Sequence, residues 1–278
     1  MRRFLAPYIF DIKNNNIQDL TRSLEKLKKG YKDEKSSLYF RLNSFEHQKK
    51  TIIGIIEYGT YGSDENVVNI ETSKVTKHIE NNESHLKQYY FFFEFIDKNR
   101  GILVLERKGN IGVRSIFYQG LKKQLEEKGG EIEISPISIG LNKILDKPLK
   151  KIVIKLPYIP KEIDAKLGGL KIENVQSINF ELVITARKNQ NIISKLIETL
   201  KEQSFNHKKL NAGIIYDSNE EISIFVDDGN FKRTVYLKRN SVRSWIEIRQ
   251  DKTVVQEGKD FIKEIISSEE LLQLLKLI

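Results

Sequence analysis

A run of five aromatic residues, Tyr89 to Phe93, constrains the fold of this chain more than any other feature. Residues of this size on consecutive positions predict a strand that is buried on both faces, since alternate side chains of a strand point to opposite sides. Turn chemistry follows at 97–101, where Gly101 is suited to the positive φ that ends a hairpin loop. A second strand, 102–108, completes a buried hairpin.

A corner and a helix follow the hairpin. Gly109 and Gly112 break the second strand. Phe117, Leu121 and Leu125 then recur at helical spacing and predict a helix over 115–128, which ends at a pair of glycines, 129–130.

This unit and the segments after it resemble the RexA-type phage-exclusion protein family of lambdoid prophages. The matching segments are the strand Phe91–Phe93, the corner Gly112–Phe117, the strand Glu131–Pro136, and in the second half Lys151–Pro157 and Ile159–Leu170. Length and element order are similar over most of the chain. The resemblance implies a dimeric, sequence-independent double-stranded DNA-binding protein that acts in phage exclusion inside a bacterial cell. It transfers no individual DNA contact to a residue of this sequence.

Composition narrows the class of protein. The 278 residues are 39% hydrophobic and 31% charged, which is ordinary for a folded protein long enough to form two modest domains. No stretch has the roughly 18 uncharged apolar residues of a membrane span, and Pro7 and Asp11 interrupt any signal-peptide core, so we expect a cytoplasmic protein. Cysteine is absent, which excludes disulfides and thiolate chemistry.

The net charge of +9 is spread over the whole chain. Residues 1–150 carry 26 basic and 20 acidic side chains, and residues 151–278 carry 21 and 18. An excess that is distributed in this way favours anionic partners, nucleic acid first among them. A lysine-rich composition without any such partner is the alternative interpretation.

Strand and helix patterns alternate in both halves and predict an α+β fold: two mixed domains with largely antiparallel sheets, 1–147 and 148–278. Pro148 ends the segment 141–148 and marks the boundary. The first predicted helix is 17–27, with Asn16 as its N-cap, an apolar stripe of Ile17, Leu20, Leu24 and Leu27, and Gly30 at its end. The other predicted helices are 75–87, 115–128, 192–200 and two that close the chain. The predicted strands are 4–12 with Pro7 at an edge, the hairpin 37–42 and 51–58, 89–93, 102–108, 131–136, 152–156, 178–185, 213–216, 222–226, 234–237, 242–248 and 254–255.

The segment 231–249, FKRTVYLKRNSVRSWIEIR, is the leading candidate for a DNA contact. With Asn240-Ser241 as a two-residue turn, Lys238 would pair with Arg243 and Tyr236 with Trp245, so that cations and aromatics share one face of a hairpin. Such a face suits phosphates and sugar edges, while a solvated sheet face is the competing interpretation. The candidate residues are Lys232, Tyr236, Lys238, Arg239, Arg243, Trp245 and Arg249.

A second basic cluster lies at the predicted boundary. Lysines there would give salt-sensitive, sequence-blind affinity for phosphates, or simply solvate a linker. Its members are Lys143, Lys147, Lys150, Lys151 and Lys155. Arg114, at the entrance of the helix 115–128, is a further candidate for a phosphate contact.

Two functions of other classes stay open. Asp97, Glu106 and Lys108 resemble the two carboxylates and lysine of a restriction-endonuclease-like Mg²⁺ site. Alternatively, the chain is an interaction module that senses a phage protein and binds no nucleic acid. The four histidines are scattered without zinc-ligand spacing, and no motif indicates a cofactor or a resident metal.

The C-terminal segment predicts self-association. Ser267 and Glu270 form a capping-box pattern, and in the tail from Leu271 to Ile278 only Gln273 and Lys276 are polar. A helix that is apolar nearly all round needs cover on more than one side, and a second copy of the chain would supply it. The expected partners are therefore double-stranded DNA and a second copy, and a membrane-protein effector encoded nearby is left open.

Overall fold

A computed structural model describes residues 2–109, 111–137, 149–156, 180–185, 221–227, 232–238, 241–268 and 271. The chain divides into two compact units, residues 1–136 with 250–264, and residues 137–249 with 265–278. This division differs from the predicted one at 147/148 in two ways, since the first unit ends at Pro136 and also includes 250–264. The predicted boundary itself, the helix 192–200 and the strand 213–216 lie outside the described residues.

The fold class is α+β, as the sequence predicts, and every strand pairing in the described residues is antiparallel. Helices are α1 (Ile17–Leu27), α2 (Arg114–Glu126) and α3 (Val254–Ile266). Strands of the first unit are β1 (Arg3–Lys13), β2 (Tyr31–Asp33), β3 (Leu38–Gln48), β4 (Thr51–Thr60), β5 (Glu65–Asn69), β6 (Lys74–Ile79), β7 (Lys87–Phe95), β8 (Arg100–Lys108), β9 (Ile111–Gly112) and β10 (Glu131–Pro136). Strands of the second unit are β11 (Leu149–Leu156), β12 (Phe180–Thr185), β13 (Glu221–Asp227), β14 (Lys232–Lys238) and β15 (Ser241–Glu247).

Strand β7 is central to the first unit, where the strand order is β10-β1-β8-β7-β4-β3-β2 and β9 pairs with the end of β8. Phe91, Phe92 and Phe93 are fully buried, which confirms the strand that the aromatic run predicts. Helices α1 and α2 pack on the face that carries Phe91 and Phe93 and form one core with it. Helix α3 lies against Phe92, on the opposite face, where Gly258 meets its ring.

Local signals at α1 act as predicted. The side chain of Asn16 accepts hydrogen bonds from the backbone of Gln18 and Asp19, and the Asp19 carboxylate accepts one from the backbone of Asn16. This capping box satisfies amide groups that the first turn leaves without partners. Leu20 and Leu24 are buried, and Gly30 takes a φ of +94° just after the helix.

Several predicted elements are wrong. Residues 75–87 do not form a helix: β6 occupies 74–79 and β7 begins at Lys87. Val254 and Val255 open α3 rather than forming a strand, because Thr253 and Gln256 exchange side-chain-to-backbone bonds of 3.2 Å in a capping box. Pro7 lies within β1, between β8 and the start of β10, and not on an edge strand.

Gly101 has a role different from the predicted one. It lies in β8, and its φ is not among the positive values of the chain. A Cβ at this position would instead come within 2.8 Å of two atoms of the Phe10 ring. Phe10 stacks edge-on against Phe93 and Phe95, so Gly101 makes room for an aromatic cluster.

A buried carboxylate joins β3, β4 and β7 at one end of the sheet. Arg41, Glu57 and Gln88 are Cα partners across these three strands, and a bulge after Leu42 brings Asn43 to the same carboxylate. Arg41 donates at 2.8 Å, Asn43 at 2.6 Å and Gln88 at 3.2 Å. Burial alone would raise the pKa of Glu57, but these bonds outweigh it and lower the pKa below its ordinary value.

Glu57 therefore predicts a pH dependence of stability. Because its pKa is depressed in the folded state, its contribution is full above the ordinary value of 4.5 and is lost as pH falls through the folded pKa. We expect the difference in unfolding free energy between the native protein and Glu57→Gln to be largest at neutral pH and to shrink below about pH 4.5. Urea titrations of both proteins from neutral to acid pH measure it, and a constant difference would contradict it.

Replacing Gly258 with alanine should destabilise the protein, although a glycine-to-alanine change within a helix usually stabilises it. In a helix, alanine is normally more stable than glycine by about 1 kcal/mol. Here a Cβ would lie 2.7 and 2.8 Å from atoms of the Phe92 ring, inside a packed core. Overpacking costs roughly 1–3 kcal/mol, so Gly258→Ala should lower the unfolding free energy.

The control for Gly258 is Lys259→Ala, at the adjacent, exposed position of the same helix. It should be neutral or slightly stabilising in thermal and urea unfolding. Equal stability of the two variants would show that α3 does not pack on Phe92.

Candidate nucleic-acid interface

The hairpin β14–β15 forms with a register two residues away from the predicted one. Lys238 pairs with Ser241 and Tyr236 with Arg243, where the sequence predicted Lys238 with Arg243. The connection is therefore 239–240, outside the described residues, and the turn predicted at Asn240-Ser241 is wrong. A shift of two keeps every residue on its predicted face, because side chains alternate with a period of two.

The strand pairing brings Lys151 and Lys155, two members of the boundary cluster, to the face that the hairpin cations share. One cross-strand row runs from Lys151 through Phe225 and Thr234 to Trp245. Since directly opposed residues of neighbouring strands point to the same side, Lys151 shares the face of the hairpin cations. The row spans β11, β13, β14 and β15, about 14 Å at the usual strand spacing.

The neighbouring row has the same character. It runs from Val153 through Ser223 and Tyr236 to Arg243. Two adjacent rows thus each end in an aromatic or cationic residue of the hairpin. Residues 151–155 and 232–247 share this face because of the order of the strands in the sheet, and no local sequence pattern predicts that order.

Acidic residues flank some of these cations. Lys155 lies between Glu181 and Glu221, its Cα partners on the two neighbouring strands. Lys232 lies between Asp227 and Glu247 in the same way. Opposite charges placed directly across strands compensate each other, so these two lysines add little net positive charge to the face.

Arg243 and Lys151 differ from those two lysines. Their Cα partners in the described ladders carry no negative charge: Arg243 has Tyr236, and Lys151 has Thr185 and Phe225. Lys238 has Ser241 on one side, but the register that pairs Leu237 with Ile222 places it opposite Glu221 on the other. The net positive charge of the face is therefore expected at Arg243 and Lys151.

The centre of this face is covered and its margins are open. Val153 and Thr234 are 3% and 7% exposed, whereas Val183 is 46% exposed and Lys232 is also exposed. Trp245 is half-buried and has further contacts within the protein. A ligand on this face would meet its marginal positions first.

The remaining predicted contacts have separate outcomes. Lys150 is in β11, next to the bulge between Leu149 and Lys151, on a position of opposite parity to Lys151. Arg249 follows β15 and is half-buried with partners in the protein. Lys143, Lys147 and Arg239 lie outside the described residues.

Arg114 has a structural role within the first unit. Its guanidinium donates to the carbonyl of Ile134 at 2.6 Å and lies 5.4 Å from the centre of the Tyr8 ring. These contacts tie the start of α2 to β10 and β1. The phosphate contact predicted for Arg114 would compete with them.

The nuclease-like residues do not come together. Asp97 precedes β8 and Glu106 lies near its other end, so at least six residues of extended strand, about 20 Å, separate them. Hydrogen bonds from the backbone of Asn99 and Arg100 and from the Arg100 guanidinium hold Asp97 in the hairpin turn. Burial would raise the pKa of Asp97, but those bonds outweigh it and lower the pKa.

Glu106 is fully buried and serves as a structural acceptor. One carboxylate oxygen accepts from Nε of Arg3 at 2.6 Å, and the other accepts from the backbone of Tyr90 at 2.9 Å. The pairing of β7 with β8 ends at Phe91 and Leu105. At the next position the Glu106 carboxylate, in place of a backbone carbonyl, accepts the hydrogen bond from the backbone of Tyr90. The Lys108 ammonium lies 5.1 Å from the centre of the Tyr89 ring.

No group of three or more metal-binding side chains occurs in the part of the chain that the structure describes. His78 lies in β6, and not in the helix predicted over 75–87, and its ring Nδ1 is 3.0 Å from the Asn66 side-chain oxygen. Among the same described residues, no helix is both long and apolar enough to cross a membrane.

No family model, curated protein or solved structure matches this chain.

Replacing the buried Glu106 should lower the free energy of unfolding. Glu106→Gln keeps the shape of the side chain but turns an amide NH₂ toward one of the two donors, at a position where the side chain is fully buried. Leaving a buried donor without an acceptor costs roughly 1–3 kcal/mol, which should appear in urea unfolding. The control is Glu133→Gln, since Glu133 is exposed and pairs with Lys13 at the surface. That change should stay within about 0.5 kcal/mol, and equal effects would refute a structural role for Glu106.

Proposed function

We propose that this chain binds double-stranded DNA without sequence preference and acts in phage exclusion in the bacterial cytoplasm. The observation that carries the proposal is the pairing of β11, β13, β14 and β15. It gathers Lys151, Tyr236, Lys238 and Arg243 on one face, although Lys151 is 81 positions before Lys232, where the hairpin begins.

The chemistry of this face fits a phosphate backbone better than a base edge. Lysine and arginine bind phosphates by charge, and a duplex offers one charge per roughly 1.7 Å of its axis. Base readout requires side chains that enter a groove, usually from a helix or a two-stranded ribbon. The open positions of this face lie at the margins of a sheet of several strands and not on a helix or an isolated ribbon, which supports backbone contacts and sequence independence.

Two further observations support the same class of ligand. The excess of nine positive charges extends over both halves of the chain, and it favours a polyanion. The resemblance to the RexA-type family suggests DNA and phage exclusion independently of charge. It also leaves open an effector in the membrane as a downstream partner.

The expected binding has a steep salt dependence. If phosphate contacts dominate, the logarithm of the association constant should fall linearly with the logarithm of salt concentration, and duplexes of unrelated sequence should differ little. Fluorescence anisotropy with two random duplexes, with and without Mg²⁺, measures this. Mg²⁺-dependent cleavage would instead establish the nuclease, and no binding at low salt would leave the interaction module.

The charge pattern of the face predicts which cations contribute most to binding. Neutralising the two cations without acidic Cα partners, Lys151→Gln with Arg243→Gln, should weaken duplex binding by about tenfold or more and reduce the salt slope by about two. The matched control removes the same charge from acid-flanked positions, Lys155→Gln with Lys232→Gln, and should change affinity much less. Equal losses would contradict the compensation, and unchanged affinity in both would move the DNA site to another surface.

A further inference from the structure

Residues 61–86 form an arm that leaves the sheet of the first unit and returns to it. Tyr58 of β4 and Lys87 of β7 are Cα partners, so the excursion begins and ends at the same edge. Within the arm, β5 and β6 pair only with each other among the described strands. The base of the arm is closed by an isolated bridge between Tyr61 and Ser84 and by a hydrogen bond of 3.0 Å from the backbone of Gly62 to the carbonyl of Asn81.

One side of the arm is packed against its own returning chain. Val67, Ile79 and Leu86 line a hollow of about 410 Å³, and Ile79 is only 8% exposed. Lys77 and Glu83 close this side with an ion pair of 3.1 Å. The apolar side chains on this side are therefore buried or half-buried by the arm itself.

The other side and the tip are apolar and open. Val68 and Val75 are direct cross-strand partners and are 44% and 58% exposed, and Ile70 at the tip is 93% exposed. The Asn69 side chain accepts from the backbone of residues 71 and 72, which fixes the tip in this form. Six large apolar residues are exposed in the described part of the chain, and these three, all within 68–75, are half of them. Apolar residues clustered in this way mark interaction surfaces.

The charge of the arm is opposite to that of the rest of the protein. Residues 61–86 contain five acidic and two basic side chains, a net charge of −3, while the remaining residues carry 45 basic and 33 acidic ones, a net charge of +12. The arm would therefore be repelled by DNA and by another arm. It complements a basic protein surface, and the body of this chain is one.

We propose that the arm docks through Val68, Ile70 and Val75 onto the basic body of a second copy of this chain. Apolar contact would supply affinity, and charge complementarity would select the body of the partner over its arm. An isolated two-stranded hairpin is marginally stable, so docking would also order the arm. The surface differs from the C-terminal helix that the sequence suggests, and the inference does not depend on DNA binding.

Sedimentation velocity of the intact protein without DNA tests the proposal. We expect dimers at about 50 mM salt that dissociate toward 500 mM, where charges are screened beyond roughly 4 Å. The variant Val68→Thr, Ile70→Thr, Val75→Thr keeps β-branched residues on the arm and should weaken association by about tenfold or more. Its melting temperature should stay unchanged, because these side chains lie outside the core.

Ile111→Thr is the matched control, since Ile111 is 39% exposed on β9, outside the arm, and this variant should dimerise normally. Glu71→Lys with Glu80→Lys, which reverses arm charges without touching apolar residues, should also weaken association at low salt. Carbodiimide cross-linking of mixed ¹⁴N and ¹⁵N chains should join arm carboxylates to lysines of the other copy. A monomeric native protein, or a dimer that survives both arm variants and is lost in Leu274→Glu, would overturn the proposal.

Discussion

Burial of β7 on both faces is the constraint on which the first unit depends. Phe91 and Phe93 need cover on one side and Phe92 on the other, and a single layer of helices can supply only one of these. Helices α1 and α2 provide the first layer from nearby sequence. The second layer is α3, which comes from residues 254–266, more than 150 positions after the aromatic run. The aromatic run therefore requires a distant segment, and that requirement explains why the first unit is discontinuous in sequence.

Sequence patterns predicted the elements well where one local signal dominated. The Asn16 cap, the apolar stripe of α1 and the aromatic strand needed only neighbouring residues. The β-branched Val254 and Val255 favour a strand, but the capping bonds between Thr253 and Gln256 start a helix there. Residues 75–87 lack a dominant signal, and pairing with β5 determines their structure.

The candidate interface shows the same limit at a larger scale. Alternation along the hairpin predicted its shared face correctly, even though the register is shifted, because parity survives a shift of two. Three properties could not be predicted from the sequence: the position of Lys151 on the face of the hairpin, the acidic neighbours of Lys155 and Lys232, and the burial of Thr234. Each depends on which strands become neighbours, and strand order is a property of the whole chain.

The discontinuity of the first unit has a consequence for synthesis on the ribosome. Residues 137–249 are translated after β7 and before α3, which takes roughly ten seconds at bacterial elongation rates. During that interval Phe92 and its apolar neighbours have no helix to cover them, and the sheet is open to nonspecific contacts. The nascent chain would then benefit from a chaperone that holds this surface, and slower elongation across 137–249 would lengthen the period of risk.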